Sequence, residues 1–160
     1  MKKAVLSMDI EDWYHLDYFD RAKCDYRAKN SMLDGVMVFA KILEKYGVKA
    51  TFFVVGEIAE TIRPVLRSLE QAGHEIASHT YSHRRPLTLS SDEFDEELFK
   101  SKMILESVID GEVSGFRAPC FSMDRDCLER VRAAGYIYDS SRIDFSQHPL
   151  YGSLDMDGFK

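Results

Sequence analysis

From its first residues almost to its last, the chain alternates short apolar runs suited to strands with longer stretches whose apolar residues recur at helical spacing. No other feature restricts the fold as much. KKAVLSMDI, residues 2–10, is an apolar run ending in acid and reads as a buried strand. From about Met32 to Tyr46, Leu33, Val36, Met37, Ala40 and Leu43 repeat at helical intervals, and Gly47 follows as a stop signal. ATFFVV, β-branched and aromatic, is a second strand. Helical spacing returns from about Glu57 to Ala72 and closes on Gly73, after which HEIAS makes a third strand. Ser90 and Glu93 form a capping box that opens a long helix ending at Gly111. GFRAP, DRDCLERVRAAG and YIYDSS then read as strand, helix and strand, and the remaining residues read as loop.

Strands alternating with helices imply a parallel sheet joined by right-handed crossovers. The α/β architecture is either a doubly wound open sheet or a (β/α) barrel. In both, functional side chains gather at the carboxyl ends of the strands. The chemically capable residues fall there. Asp9, Glu11 and Asp12 follow the first strand, His79 and His83 the third, Arg117 and Asp139 the fourth and fifth.

Bulk properties exclude several classes. A chain of 160 residues is one domain by length. A net charge of −6 without any basic stripe argues against a nucleic-acid surface. No run approaches the ~20 apolar residues that span a bilayer. MKKAVLSMDIED reaches acid before any secretory apolar core, and Cys24, Cys120 and Cys127 are an odd, scattered set. The expected location is cytoplasmic.

The stretch SHTYSHRRP sets His79 and His83 four residues apart. Alone, such a pair is a weak metal signal. The acids of SMDIED, at the same predicted edge, repel one another unless a cation offsets them. Two neutral imidazoles and one carboxylate make a facial ligand set with open positions. A divalent ion there makes water a usable nucleophile, and a neighbouring carboxylate can take the proton.

SMDIEDWYH, ATFFVVGE, AGHEIASHTYSH and GFRAPCFS, in that order, resemble the polysaccharide deacetylases of the NodB-homology type, carbohydrate esterase family 4. The resemblance implies a distorted (β/α) barrel, a divalent metal (often zinc), and hydrolysis of N-acetyl groups from amino sugars of a glycan or glycan precursor. It implies His79 and His83 as metal ligands, Asp9 as catalytic base and Arg117 as the residue orienting that base. The family's usual adjacent acids imply Asp12 as the metal carboxylate, with Glu11 as rival ligand and competing base. In an uninterrupted strand Asp9 and Glu11 share a face and Asp12 points away, but the chain can turn once the strand ends. Trp13, Tyr81 and Pro119 are expected to contact substrate. Cys120 and Phe121 depart from the family's aromatic and glycine. The family's late histidine, which protonates the departing amine, has no good match, His148 being the only histidine beyond the fifth strand.

Family barrels run longer, so the chain is expected to be a single NodB-homology domain of about five β/α units, incomplete at its C-terminal side unless copies complete one another as a homo-oligomer. Three other readings share the sequence: an amidohydrolase on small cyclic amides, resembling the allantoinase-like branch; a catalytically silent glycan-binding module; and a purely structural domain.

Overall fold

The protein's structure is a computed structural model that describes residues 4–16, 19 and 31–143. Cys24 and His148 lie outside these residues. Five strands, β1 (Ser7–Ile10), β2 (Thr51–Val54), β3 (Glu75–Ser78), β4 (Gly115–Phe116) and β5 (Tyr138–Asp139), form one sheet in which every pairing is parallel. Helices α1 (Leu33–Tyr46), α2 (Arg63–Gln71), α3 (Ser91–Ile109) and α4 (Arg125–Ala133) make the crossovers.

The strand order is β1-β2-β3-β4-β5. A doubly wound sheet reverses direction at a switch point and separates consecutive strands. Consecutive neighbours throughout are the order of a (β/α) barrel. Among the described residues the sheet is not closed, and β1 and β5 are its edges.

Strand periodicity divides the side chains between two faces. Ile10, Phe52, Val54, Ile76 and Phe116 are buried in one cluster with Val36 and Leu43 of α1, Leu66 of α2, Leu98 of α3 and Val131 of α4. Burying each large apolar side chain contributes about 1.5–3 kcal/mol, so this face holds the fold. The other face carries Asp9, Phe53 and Ala77 in register. There Gly115 is a space requirement, because a Cβ on it would lie 2.2 Å from the Tyr138 hydroxyl.

Several boundaries differ from expectation. The first strand is shorter than residues 2–10, and Val5 is 87% exposed. The stretch beginning at Glu57 splits into a 3-10 turn, Gly56–Ile58, and α2, which starts at Arg63 because Pro64 is tolerated only in a first helical turn. The capping box holds, with Ser90 N–H donating to Glu93 Oε2 at 2.8 Å. The left-handed residue ending α3 is Asp110, at φ 56°, rather than Gly111. The fourth strand is two residues because Pro119 opens a 3-10 turn, Pro119–Phe121.

Candidate active site

Register delivers the site residues to one edge. Ile10, Val54, Ser78, Phe116 and Asp139 lie side by side across the sheet. The next residues along their chains, Glu11, His79 and Arg117 among them, therefore leave the sheet together at its carboxyl end. Asp9, two residues before Glu11, shares its face.

The His79–His83 turn is tightly built. Thr80 and His83 take left-handed backbone, φ 61° and 62°, a strain of order 1–3 kcal/mol each. The Thr80 hydroxyl donates to the His79 carbonyl at 2.6 Å and accepts the His83 N–H at 3.1 Å. Both imidazoles are buried. His79 Nδ1 lies 2.7 Å from the Arg117 carbonyl oxygen, and His83 Nδ1 lies 2.9 Å from the His15 carbonyl oxygen. A carbonyl only accepts, so each Nδ1 carries the proton and each Nε2 presents a lone pair.

Both lone pairs meet carboxylates. Glu11 Oε2 lies against His83 Nε2, yet it is buried and no hydrogen-bond donor reaches it among the described residues. Two lone pairs facing each other call for a proton or a cation between them. One ligand atom from each of Glu11, His79 and His83 fits within 4.8 Å of the others. Among the described residues this is the one such group. Burial holds the His79 imidazole down to about 4, against the opposing pull of Asp9, so the ring is neutral near pH 7. The Glu11 carboxyl is pulled both ways: burial raises it, while a protonated His83, through its hydrogen bond and charge, and then charge at His79 and His15 bring it below its ordinary value; with the rings neutral, a bound cation would supply that charge. Neutral imidazoles and an ionised carboxylate without a donor are the donor set a divalent cation takes.

Asp9 stands beside this group, with Oδ2 3.9 Å from His79 Nε2. Its Oδ1 receives Arg117 Nη1 at 2.7 Å. Arg117 is fixed in turn: Nη2 donates to Ser7 Oγ at 3.0 Å and to Ser140 Oγ at 2.8 Å, and the guanidinium lies 4.0 Å from the Phe53 ring centroid. A carboxylate clamped this way keeps one oxygen in place for proton transfer.

Asp12, expected as the metal carboxylate, is engaged elsewhere in this structure. Its carboxylate is an N-cap: it accepts from Trp13 N–H at 2.9 Å and Ser31 N–H at 2.7 Å, and also from the Ser31 hydroxyl. The chain turns at the residue after Glu11, so Asp12 leaves the strand face and joins the Trp13–His15 turn. The carboxylate brought to both histidines is Glu11. His15 supports the same turn, with Nδ1 accepting the Asp12 N–H at 2.7 Å and Nε2 meeting Glu57 Oε1 at 2.8 Å.

The expected substrate residues fare differently. Trp13 is 46% exposed and packs edge-on against Phe19, 4.6 Å between centroids. A cavity of about 400 Å³, lined by His15, Leu16, Phe19, Ser82, His83 and Thr88, opens beside His83. Small-molecule sites span ~300–1,000 Å³. The Tyr81 ring turns instead toward Gly56 and Lys100 Nζ, 5.8 Å from its centroid, which places it against α3. Pro119 is buried at the start of a turn where Cys120 and Phe121 adopt left-handed backbone. Ser7 and Glu57, bonded into this edge, lie within SMDIEDWYH and ATFFVVGE without a role expected for them, and Ser140 and Glu97 carried no signal of spacing or motif.

Strand order and the acids and histidines on its carboxyl edge make this a (β/α) protein of the carbohydrate esterase family 4 type. Residues 31–138 match the family model for polysaccharide deacetylase, and the chain belongs to that family. It is 27% identical over 117 residues to a peptidoglycan deacetylase of Helicobacter pylori, covering 73% of this chain and 40% of that protein. Among solved structures it is similar to one from Mycobacterium smegmatis assigned to the polysaccharide deacetylases, with a TM-score of 0.77 and 28% identity over 94% of this chain and 56% of that one. It shares its fold with a family 4 acetyl xylan esterase from Clostridium thermocellum, solved with a cobalt ion, at a TM-score of 0.59 and 21% identity over 79% of this chain and 53% of that one. The chain thus spans less than two thirds of each relative.

Proposed function

We propose that the protein is a metal-dependent hydrolase that removes N-acetyl groups from amino sugars of a glycan or glycan precursor. Glu11, His79 and His83 would hold the divalent ion, zinc by the nitrogen-rich ligand set. Such an ion, when bound, supplies a Lewis acid that acidifies water and polarises an amide carbonyl. The single observation carrying this reading is the juxtaposition of two lone-pair Nε2 atoms and the donorless Glu11 Oε2 with Asp9, itself held by Arg117.

The chain's own residues divide the work. Main-chain carbonyls take the Nδ1 protons of His79 and His83, which leaves their Nε2 atoms to face the ion. Asp9 takes a proton from the attacking water through the oxygen Arg117 leaves free. Water's hydroxyl adds to the acyl carbon, and the proton held on Asp9 is destined for the departing nitrogen, giving acetate and a free amine. Trp13, at the mouth, offers an apolar face for a sugar ring, and the cavity beside His83 is of a size to take a neighbouring sugar. A peptidoglycan- or chitin-like N-acetylated polymer suits this arrangement better than a small cyclic amide, since exposed Trp13 and the cavity beside His83 offer contacts beyond a single acyl group.

The test is metal content together with acetate release from N-acetylglucosamine oligomers, O-acetylated xylan and a cyclic ureide. Bound metal with release from the N-acetylated oligomers supports the reading. Bound metal with release from xylan or ring opening of the ureide alone reassigns the substrate. A protein that binds these glycans without hydrolysing them is the silent module.

A further inference from the structure

The turn carrying both histidines is held on two sides. On one side its carbonyls are taken up: Gly56 N–H donates to the Thr80 carbonyl at 3.0 Å and Glu57 N–H to the Tyr81 carbonyl at 2.8 Å. On the other side stands Glu97 of α3. Its Oε2 accepts the N–H of Tyr81 at 2.9 Å and of Ser82 at 2.7 Å, and its Oε1 accepts the Ser82 hydroxyl at 2.5 Å.

Glu97 sits on the apolar stripe of α3, three residues after Phe94 and beside Leu98, and it is buried. Its acidic neighbours Asp92, Glu93, Asp95 and Glu96 are exposed. A carboxylate on a buried helix face needs donors, and here the donors are the amides between the two histidines. Thr80 and His83, which flank those amides, both take left-handed backbone.

We infer that Glu97 is a positioning residue: by gathering the Tyr81 and Ser82 amides and the Ser82 hydroxyl, it holds the strained turn that aims His79 Nε2 and His83 Nε2 at a common point. It touches neither histidine side chain and acts through the backbone between them. The role rests on the hydrolase reading for its purpose, since a preset pair of lone pairs matters when a cation binds there.

The test compares four variants for Co²⁺ affinity by competition with a chelator, for folding by circular dichroism, and for imidazole tautomers in the metal-free protein by nitrogen NMR. Glu97→Ala is expected to weaken Co²⁺ binding about tenfold or more, as loss of outer hydrogen bonds to a metal site does. It should also mix the Nδ1–H tautomers of His79 and His83. Glu97→Gln keeps an acceptor at the same reach and should stay within about threefold of wild type by that reasoning. Glu97→Asp keeps the charge but shortens the reach, and should lose affinity toward the alanine level. Glu96→Ala, an exposed neighbour, should change nothing.

Wild-type affinity and tautomers in folded Glu97→Ala overturn the inference. Should that variant fail to fold, the comparison of Glu97→Asp with Glu97→Gln decides, and equal affinities overturn it. A wild-type protein that binds no Co²⁺ defeats the hydrolase reading instead. The tautomer measurement needs no metal and still decides whether Glu97 holds the turn.

Discussion

Arg117 Nη1 meets Asp9 Oδ1 at 2.7 Å across 108 residues of sequence, joining the fourth strand's exit to the first strand's interior face. The same guanidinium also bonds Ser7 and Ser140, so its position is fixed from three directions. Lysine carries the charge but not the fork. Arg117→Lys should lower kcat about a hundredfold, the cost of an order-1 Å misplacement of a reacting group, while leaving metal content unchanged. Unchanged kcat on an N-acetylated oligomer would show that Asp9 needs no such clamp.

Asp9→Asn removes the base without removing the clamp's hydrogen-bond acceptor. Turnover should fall by roughly 10²–10⁴ with metal still bound. Steady-state kinetics paired with elemental analysis checks this, and full activity would move the base to another residue.

Glu11 and Asp12 are neighbours with opposite fates. Glu11→Ala should abolish stoichiometric metal binding. Asp12→Ala should keep the metal and instead lose the cap of the Trp13–His15 turn, costing about 1 kcal/mol. Metal analysis alongside urea midpoints separates the two. The reverse pattern would restore Asp12 as the metal carboxylate.

Acid should loosen the metal-free fold in a defined window. Burial depresses the folded His79 ring to about 4, whereas the unfolded ring titrates near 6.5. Between these values the unfolded chain takes up a proton that the folded chain refuses, so stability falls as pH drops from about 6.5 toward 4. The lowered Glu11 carboxyl adds to the loss from its ordinary value downward. Urea midpoints for the metal-free protein at pH 7, 5.5 and 4.5 should decline in that order. A flat series would mean that His79 is not buried as neutral imidazole.

Gly56 lies where the 3-10 turn, the histidine turn and α3 meet. A Cβ there would stand 3.0 Å from Tyr81 Cδ2, 3.2 Å from Ile104 Cγ2 and 3.2 Å from the Ser101 Cα. Gly56→Ala should destabilise the protein by about 1–3 kcal/mol, the usual cost of overpacking, because the Ser101 contact is backbone and cannot swing away. Thermal unfolding measures it, and an unchanged midpoint would mean that α3 shifts freely.

Much of this was legible in sequence because the relevant rules are local. The alternation of periods announced the β/α order, the Ser90–Glu93 pair announced the start of α3, and the spacing of His79 and His83 announced their shared turn. Whether the sheet was doubly wound or barrel-like was not local and needed the strand order. For the carboxylate beside the histidines, two signals conflict. Strand period placed Glu11 with Asp9, whereas the family habit of adjacent acids favoured Asp12. The register of β1 on β2 runs unbroken to Ile10–Val54, so the period persists to the strand's end and Glu11 stays on the inner face. Asp12 is the first residue beyond that rule, and an aspartate there behaves as a cap. Glu97 escaped notice because it lies within a run of acids that reads as a solvated helix face; only its place on the apolar stripe distinguished it.

The proton assignments at the two histidines depend on oxygen atoms that every amino acid possesses. His79 and His83 give their Nδ1 hydrogens to main-chain carbonyls, those of residues 117 and 15. Exchanging a side chain cannot delete either acceptor; only displacing the chain can. Side-chain changes around this edge would therefore leave the inward-facing nitrogens with their lone pairs. The tautomers of both rings are thus written into the backbone path rather than into any replaceable side chain.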